Sequence, residues 1–271
     1  MRLQQCREHI RQALKDVYSE AYSYDICFII RYCLGINSCW DFDIEVDDAA
    51  ITRIVKDIYR SYPLQYICGV EEFLGEPFLV FPGVFIPREE TEDLVNLSLS
   101  IVPDSSNVLE IGVGTGVIGI SLLLRRKDIK QVIGVDINPI AIVNSHVNAR
   151  QKGVIDRLYL FHDDIFLFDI SPWDFDFIIS NPPYLPLTDK LTVPKNVVYE
   201  PENALYGGSS GVEFIIGVID KLMFKKGIKF LFEFDPSTRY LLDEHIALAE
   251  LNVQYYRDRF GKERFALIWR S

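Results

Sequence analysis

A chain of 271 residues, 49% hydrophobic and 25% charged, is long enough for one full α/β domain plus a smaller one and has the composition of a globular protein. No apolar run reaches the ~20 residues of a membrane-spanning helix, and the charged, amphipathic stretch after Met1 does not read as a signal peptide. The formal charge of −11 is spread along the chain: 8 Lys and Arg stand against 13 Asp and Glu in residues 1–86, and 20 against 26 in residues 87–271. An acidic surface throughout argues against a nucleic-acid backbone as the main partner and suits steering toward a basic protein.

Leu3, Cys6, Ile10, Ala13, Leu14, Val17 and Tyr18 recur at helical spacing. Ile26, Ile29, Ile30 and Cys33 do so again, and Gly35 is placed to stop that second helix. A third begins near Asp47-Asp48 and turns Ala50, Ile51, Ile54, Val55 and Ile58 inward. The five cysteines (6, 27, 33, 39 and 68) are odd in number, fall in the first quarter, and form neither a Cys-x-x-Cys clip nor a cluster with His. They are read as buried free thiols in a reducing cytosol, with no metal. Residues 70–87, with Phe73, Phe78, Val80, Val84 and Ile86 around Gly75, Pro77, Pro82 and Gly83, suggest a short β-hairpin. From 107 to 234 strand and helix patterns alternate, which implies a parallel sheet with right-handed crossovers. Residues 253–256 and 265–269 around Gly261 read as a terminal antiparallel pair.

Four strand ends carry chemistry. In Asn107-Val108-Leu109-Glu110-Ile111-Gly112-Val113-Gly114-Thr115-Gly116, an apolar strand runs into a glycine loop and then a helix rich in Ile and Leu. Glycines let the backbone turn sharply and approach a ligand, and the helix start adds unpaired N–H groups. Gly114-x-Gly116-x-x-Gly119 also matches the dinucleotide fingerprint, with Asp136 20 residues past Gly116, so a hydride-transfer enzyme is an alternative at this point. Glu110 and the two-residue glycine spacing pull the other way, because a buried carboxylate inside a strand needs a purpose. The second strand ends at Asp136, an acid suited to a ribose diol. The third, near 158–161, ends in His162-Asp163-Asp164-Ile165, where a polar and an apolar side chain suit an adenine ring. The fourth runs into Ser180-Asn181-Pro182-Pro183-Tyr184. Two prolines stiffen that backbone and leave only carbonyl acceptors. Asn181 Oδ1 and the Pro182 carbonyl can accept the two hydrogens of a planar amino group while Tyr184 stacks on its plane. Taken alone, the stretch is equally a strand that stops at Pro-Pro.

Glu110-x-Gly112-x-Gly114-x-Gly116, Asp136-Ile137-Asn138-Pro139, Asp164-Ile165-Phe166 and Asn181-Pro182-Pro183-Tyr184 resemble, in order, the motifs of S-adenosylmethionine-dependent methyltransferases acting on planar amines and amides. Pro63-Leu64-Gln65-Tyr66-Ile67-Cys68-Gly69, Glu72-Phe73-Leu74-Gly75, Ile86-Pro87-Arg88-Glu89-Glu90-Thr91-Glu92, Glu200-Pro201-x-x-Ala204-Leu205 and Asp258-x-x-Gly261-x-x-Arg264 are similar to the release factor glutamine methyltransferases. The resemblance implies a helical N-terminal domain (1–69), a β-hairpin linker (70–87) and a seven-stranded, Rossmann-like class I methyltransferase domain (88–271). It implies a cytoplasmic enzyme that methylates the glutamine amide in the Gly-Gly-Gln motif of class I peptide chain release factors. By the same resemblance, Glu110, Gly112, Val113, Gly114, Thr115, Gly116, Asp136, Asp164, Ile165 and Asn181 bind the cofactor. Asn181, Pro182, Pro183 and Tyr184 bind the substrate amide, with Asn181, Pro182 and Tyr184 serving the chemistry. A ribosomal-protein glutamine is an alternative target. DNA adenine methyltransferases share Asn-Pro-Pro-Tyr but must grip a nucleic acid, which the acidic charge disfavours. The chain departs from the family pattern at Glu89, where a proline is usual, at Val198, where an arginine is often found, and at Phe234, which follows Glu233 without the usual Glu-x-Gly.

Overall fold

The structure is a computed structural model that describes residues 1–18, 23–222 and 227–270. Four helices open the chain: α1 (Leu3–Tyr18), α2 (Ser23–Leu34), α3 (Asp48–Tyr59) and the short α4 (Leu64–Cys68). Their apolar stripes close on one core that includes Leu3, Ile10, Leu14, Ile26, Ile29, Ile51 and Ile58. Asp47 caps α3 by accepting from the Ala49 N–H, and α2 ends before Gly35 at φ +68°.

The cysteines differ from the sequence reading. The loop after α2 brings Cys39 beside Cys27 and the docking of α4 brings Cys68 beside Cys33, with Cα separations of 5.3 and 4.7 Å, and both pairs are disulfides. Only Cys6 is a free, buried thiol. Pairs 12 and 35 residues apart leave no spacing signal, because the tertiary fold alone decides which sulfurs meet.

Next comes the hairpin, shorter than 70–87: β1 (Val70–Phe73) pairs with β2 (Glu76–Leu79), and residues 80–87 lie outside that ladder. After it run α5 (Glu89–Ile101), β3 (Asn107–Ile111), α6 (Val117–Arg125), β4 (Gln131–Asp136), α7 (Pro139–Gln151), β5 (Leu158–His162) and β6 (Phe177–Ser180). A two-stranded patch, β7 (Leu185–Pro186) and β8 (Tyr206–Gly208), flanks α8 (Glu202–Leu205). The chain closes with α9 (Glu213–Leu222), β9 (Lys229–Glu233), α10 (Arg239–Leu248), β10 (Asn252–Arg257) and β11 (Glu263–Trp269).

Seven strands form one sheet in the order β10-β11-β9-β6-β3-β4-β5, parallel from β9 to β5, with β11 antiparallel to both its neighbours. This is the seven-stranded α/β sheet expected from the sequence, with its terminal antiparallel pair. Alternation along each strand builds a core on each face. Leu109, Ile111, Ile178, Phe230 and Phe232 pack on one side with α9 and α10. Val108, Phe177, Ile179 and Leu231 pack on the other with α5, α6 and the hairpin phenylalanines Phe73 and Phe78. Each large side chain removed from water there contributes about 1.5–3 kcal/mol. Strand order reverses at β3: β4 and β5 extend to one side, while β6 and β9 fill the other. Such a switch point leaves a crevice at the carboxyl ends of the strands, where open α/β sheets bind ligands.

Candidate functional site

A cavity of about 920 Å³, counting its open mouth, lies at that crevice. Gly112, Val113, Gly114 and Thr115 from the loop after β3 line it, with Asp136 from the end of β4, Asp164 and Ile165 from the segment after β5, and Asn181 and Pro183 after β6. Four strand ends separated in sequence thus meet in one wall, as the motifs imply. Gly116, Glu110, Pro182 and Tyr184 are not among the residues that line the cavity.

Gly116 precedes α6 at φ +83°, and a Cβ there would sit 2.9 Å from Ser145 Cβ, so only glycine fits. Gly112 leaves a different kind of space, since its missing Cβ would point to the Asn181 carbonyl 3.8 Å away, between the two loops. Asp136 ties the loop down. One carboxylate oxygen accepts from the Gly114 N–H at 2.8 Å and the other from the Asn138 N–H at 2.8 Å. A carboxylate has about four acceptor positions, so each oxygen keeps one for a ligand hydroxyl. Burial pushes the Asp136 carboxyl up, against the two N–H donors that hold it down.

Glu110 is fully buried behind the loop, and Oε2 accepts from the Gly119 N–H of α6 at 3.0 Å. A Cβ on residue 119 would lie 2.3 Å from that oxygen, which explains the glycine. Burial pushes the Glu110 carboxyl up to about 8, against the Gly119 N–H, with Asp136 adding to the rise. Glu110 Oε1 and Thr115 Oγ1, both buried, find no partner among the described residues.

Asn181 sits just past β6. Its Nδ2 donates to Thr91 Oγ1 of α5 at 2.8 Å, and Thr91 donates onward to Glu233 Oε2 at 3.1 Å. Tyr184 donates to Glu233 Oε1 at 2.9 Å. With its amino group engaged, Asn181 keeps Oδ1 free of partners among the described residues. The Pro-Pro-Tyr backbone is clamped from behind. A Cβ on Gly207 would lie 2.4 Å from the Pro183 carbonyl oxygen, and one on Gly211 would lie 2.3 Å from that of Tyr184.

Thr91, Asn203, Ala204, Phe85 and Phe214 also line the cavity, and none was singled out from sequence as a site residue. Glu233 carried a signal of its own, a carboxylate ending an apolar strand, the same anomaly that marked Glu110. Among the described residues no group of three His, Cys, Asp or Glu is placed to hold a metal, and no helix is long and apolar enough to cross a membrane.

Residues 78–226 match the methyltransferase small domain family model. The release factor glutamine methyltransferase of Geobacter sulfurreducens is 41% identical over 183 residues, covering 67% of this chain and 63% of the relative. That of Bacteroides thetaiotaomicron is 33% identical over 273 residues, covering 94% of this chain and 96% of the relative. This chain belongs to the release factor glutamine methyltransferase family. Among solved structures, the hMettl16 catalytic domain in complex with a MAT2A 3'UTR hairpin superposes with a TM-score of 0.55 at 15% identity, over 90% of this chain and 77% of that one. At that identity the likeness is one of fold.

As a release factor glutamine methyltransferase, the chain carries its three departures away from the cavity wall. Glu89 is exposed at the start of α5 near Arg259. Val198 is exposed, and Phe234 is buried in the core behind β9. The Glu200 carboxylate ties the Ile86 N–H at 2.9 Å and the Arg88 guanidinium, joining the Ile-Pro-Arg and Glu-Pro motifs into one corner.

Proposed function

We propose that this chain methylates the side-chain amide nitrogen of the glutamine in the Gly-Gly-Gln motif of a class I peptide chain release factor, in the cytoplasm, with S-adenosylmethionine as donor. The observation that carries the reading is the free Asn181 Oδ1, held toward the cavity by the Thr91 hydroxyl. The residues fit the cofactor: an acid with spare acceptors at Asp136, apolar cover from Ile165 beside Asp164, unpaired buried polar atoms around the glycine loop, and open space beside Gly114. S-adenosylmethionine supplies an electrophilic sulfonium methyl, so the new N–C bond forms as the C–S bond breaks and the amide nitrogen then loses one proton to water.

A carboxamide nitrogen is a poor nucleophile because its lone pair is shared with the carbonyl. Asn181 Oδ1 and the Pro182 carbonyl, which takes no hydrogen bond from the described backbone, each accept one N–H of the substrate amide. That pair fixes the nitrogen in line with the methyl and favours the positive charge that develops on it. The test uses purified release factor and labelled donor. Label should enter the intact factor and vanish when the motif glutamine is replaced by alanine; equal labelling of that variant overturns the reading.

Asp136→Ala should weaken S-adenosylmethionine binding by about one to two orders of magnitude, since hydrogen bonds to a charged group are each worth ~1.5–3 kcal/mol. Calorimetry decides this. Unchanged affinity, or tight NAD binding in its place, would count against the assignment.

Residues 1–69 are assigned to recognition of the folded release factor, with no nucleic acid in the contact. Support comes from the acidic balance of residues 1–86, hairpin included, and from exposed aromatics, Trp40 and Tyr24 among them. The Tyr199 hydroxyl also donates to the Arg60 carbonyl at 2.9 Å, linking α3's end to the segment that carries Pro201 and Asn203. Raising the salt concentration should raise KM for intact release factor several-fold and leave a short Gly-Gly-Gln peptide unaffected, because screening acts on the extended acidic surface. Parallel changes on both substrates would mean the helices only support the catalytic fold.

A further inference from the structure

The chain of hydrogen bonds behind Asn181 has a direction, and the direction matters. An asparagine amide is nearly symmetric in shape, and either end fits the same slot. For a substrate –NH2 only one end works: the carbonyl oxygen must face the cavity, because the amino end would set two donors against two donors. Nothing in Asn181 itself selects that end. Its one polar partner, Thr91 Oγ1, both donates and accepts, so the selection is made one residue further back.

Thr91 and Tyr184 both aim hydroxyls at the Glu233 carboxyl, one at each oxygen. A carboxylate accepts from both. The Thr91 proton is then committed to Glu233, only lone pairs of Thr91 remain for Asn181, and Asn181 must answer with its amino group. Oδ1 is left for the substrate. Once protonated, Glu233 donates to one of the two hydroxyls; when that is Thr91, the Thr91 proton swings toward Asn181 and draws the amide oxygen inward.

We propose that Glu233 is a positioning residue whose carboxylate, acting through Thr91, sets the polarity of Asn181 so that its oxygen faces the glutamine amide. The proposal rests on the amide-clamp reading given above. Glu233 is fully buried at the end of β9. The groups facing it are Thr91 and Glu90 from α5, Tyr184 from the segment after β6, and Arg264 from β11. Arg264 is itself paired with the buried Asp258 at 2.9 Å. Burial pushes the Glu233 carboxyl up to about 7, against the Tyr184 hydroxyl, the Arg264 charge and the Thr91 hydroxyl, while Glu90 adds to the rise. The sign follows: the competent form is the ionised one, so methyl transfer falls as pH drops through that value and is full above it.

The experiment measures single-turnover methyl transfer to intact release factor against pH, for the full chain and for Glu233→Gln. The wild-type rate should fall on the acid side of about pH 7. Glu233→Gln should be flat with pH, because an amide does not ionise and its oxygen can still accept from Thr91 while its amino group meets Tyr184, with KM for release factor and affinity for S-adenosylmethionine within about two-fold of wild type. A wild-type profile that is flat across pH 7 overturns the proposal. So does a Glu233→Gln variant that keeps the wild-type fall. Should Glu233→Gln not fold, Thr91→Val serves, which cuts the same relay: it should be slow and flat with pH, and retention of the wild-type profile overturns the proposal. Asn181→Ala separates the two ideas. If it loses transfer while the other variants keep the wild-type rate and pH fall, the clamp stands and the positioning role fails; if it transfers at the wild-type rate, the clamp fails first.

Discussion

Asn181→Ala should lower the rate of methyl transfer by about 100–1,000-fold, the scale of removing one preorganised polar contact to a developing charge. S-adenosylmethionine affinity should stay within a few-fold, because the ligands expected for the nucleoside, Asp136 and Ile165, stand at the end of β4 and after β5, whereas Asn181 follows β6. The loss therefore belongs in kcat and not in cofactor binding. Asn181→Asp is a sharper companion, since it keeps the size and an acceptor but introduces a charge where Thr91 expects a donor. Single-turnover rates and calorimetry on the same preparations decide the matter. Near wild-type transfer by Asn181→Ala would remove the amide clamp from the account.

Gly207→Ala should cost nearly as much although residue 207 touches no ligand. The added Cβ would meet two backbone oxygens, Pro183 O at 2.4 Å and Gly211 O at 2.6 Å. No side-chain rotation relieves a clash with backbone, so either β8 or the Pro183-Tyr184 segment must move. The Pro182 carbonyl and Asn181 belong to that same segment, and a displacement of about 1 Å in a positioning group costs about 100-fold in rate. Overpacking of this kind also lowers stability by about 1–3 kcal/mol. A Gly207→Ala variant with full activity would show that the Pro-Pro-Tyr geometry tolerates movement.

The motifs at the strand ends were readable because each pairs a local backbone requirement with a residue type that has no structural reason to be there. A carboxylate in an apolar strand, glycines at every second position, and Asn beside two prolines are visible in a window of a few residues. What those windows do not contain is the partner across the fold. Thr91 and Glu233 stand 142 residues apart and meet only because α5 packs beside β9. Gly207 and Gly211 owe their identity to carbonyl oxygens of another segment. The cysteine pairs likewise depend on how the loop after α2 folds back on that helix and how α4 docks beside it. Glu110 shows the reverse case: its buried carboxylate was noticed, but its hydrogen bond goes to the Gly119 N–H behind the loop, which places its contribution in holding the loop's shape.

The central claim is the target, a glutamine amide in a release factor, and the most direct measurement lets the enzyme choose. The full chain is incubated with labelled S-adenosylmethionine and a whole-cell lysate, and the labelled polypeptide and residue are identified by mass spectrometry. The account predicts label on a class I release factor, as a single methyl on the side-chain nitrogen of the Gly-Gly-Gln glutamine. Label on a ribosomal protein or on adenine in nucleic acid, with the release factor unmodified, would contradict it.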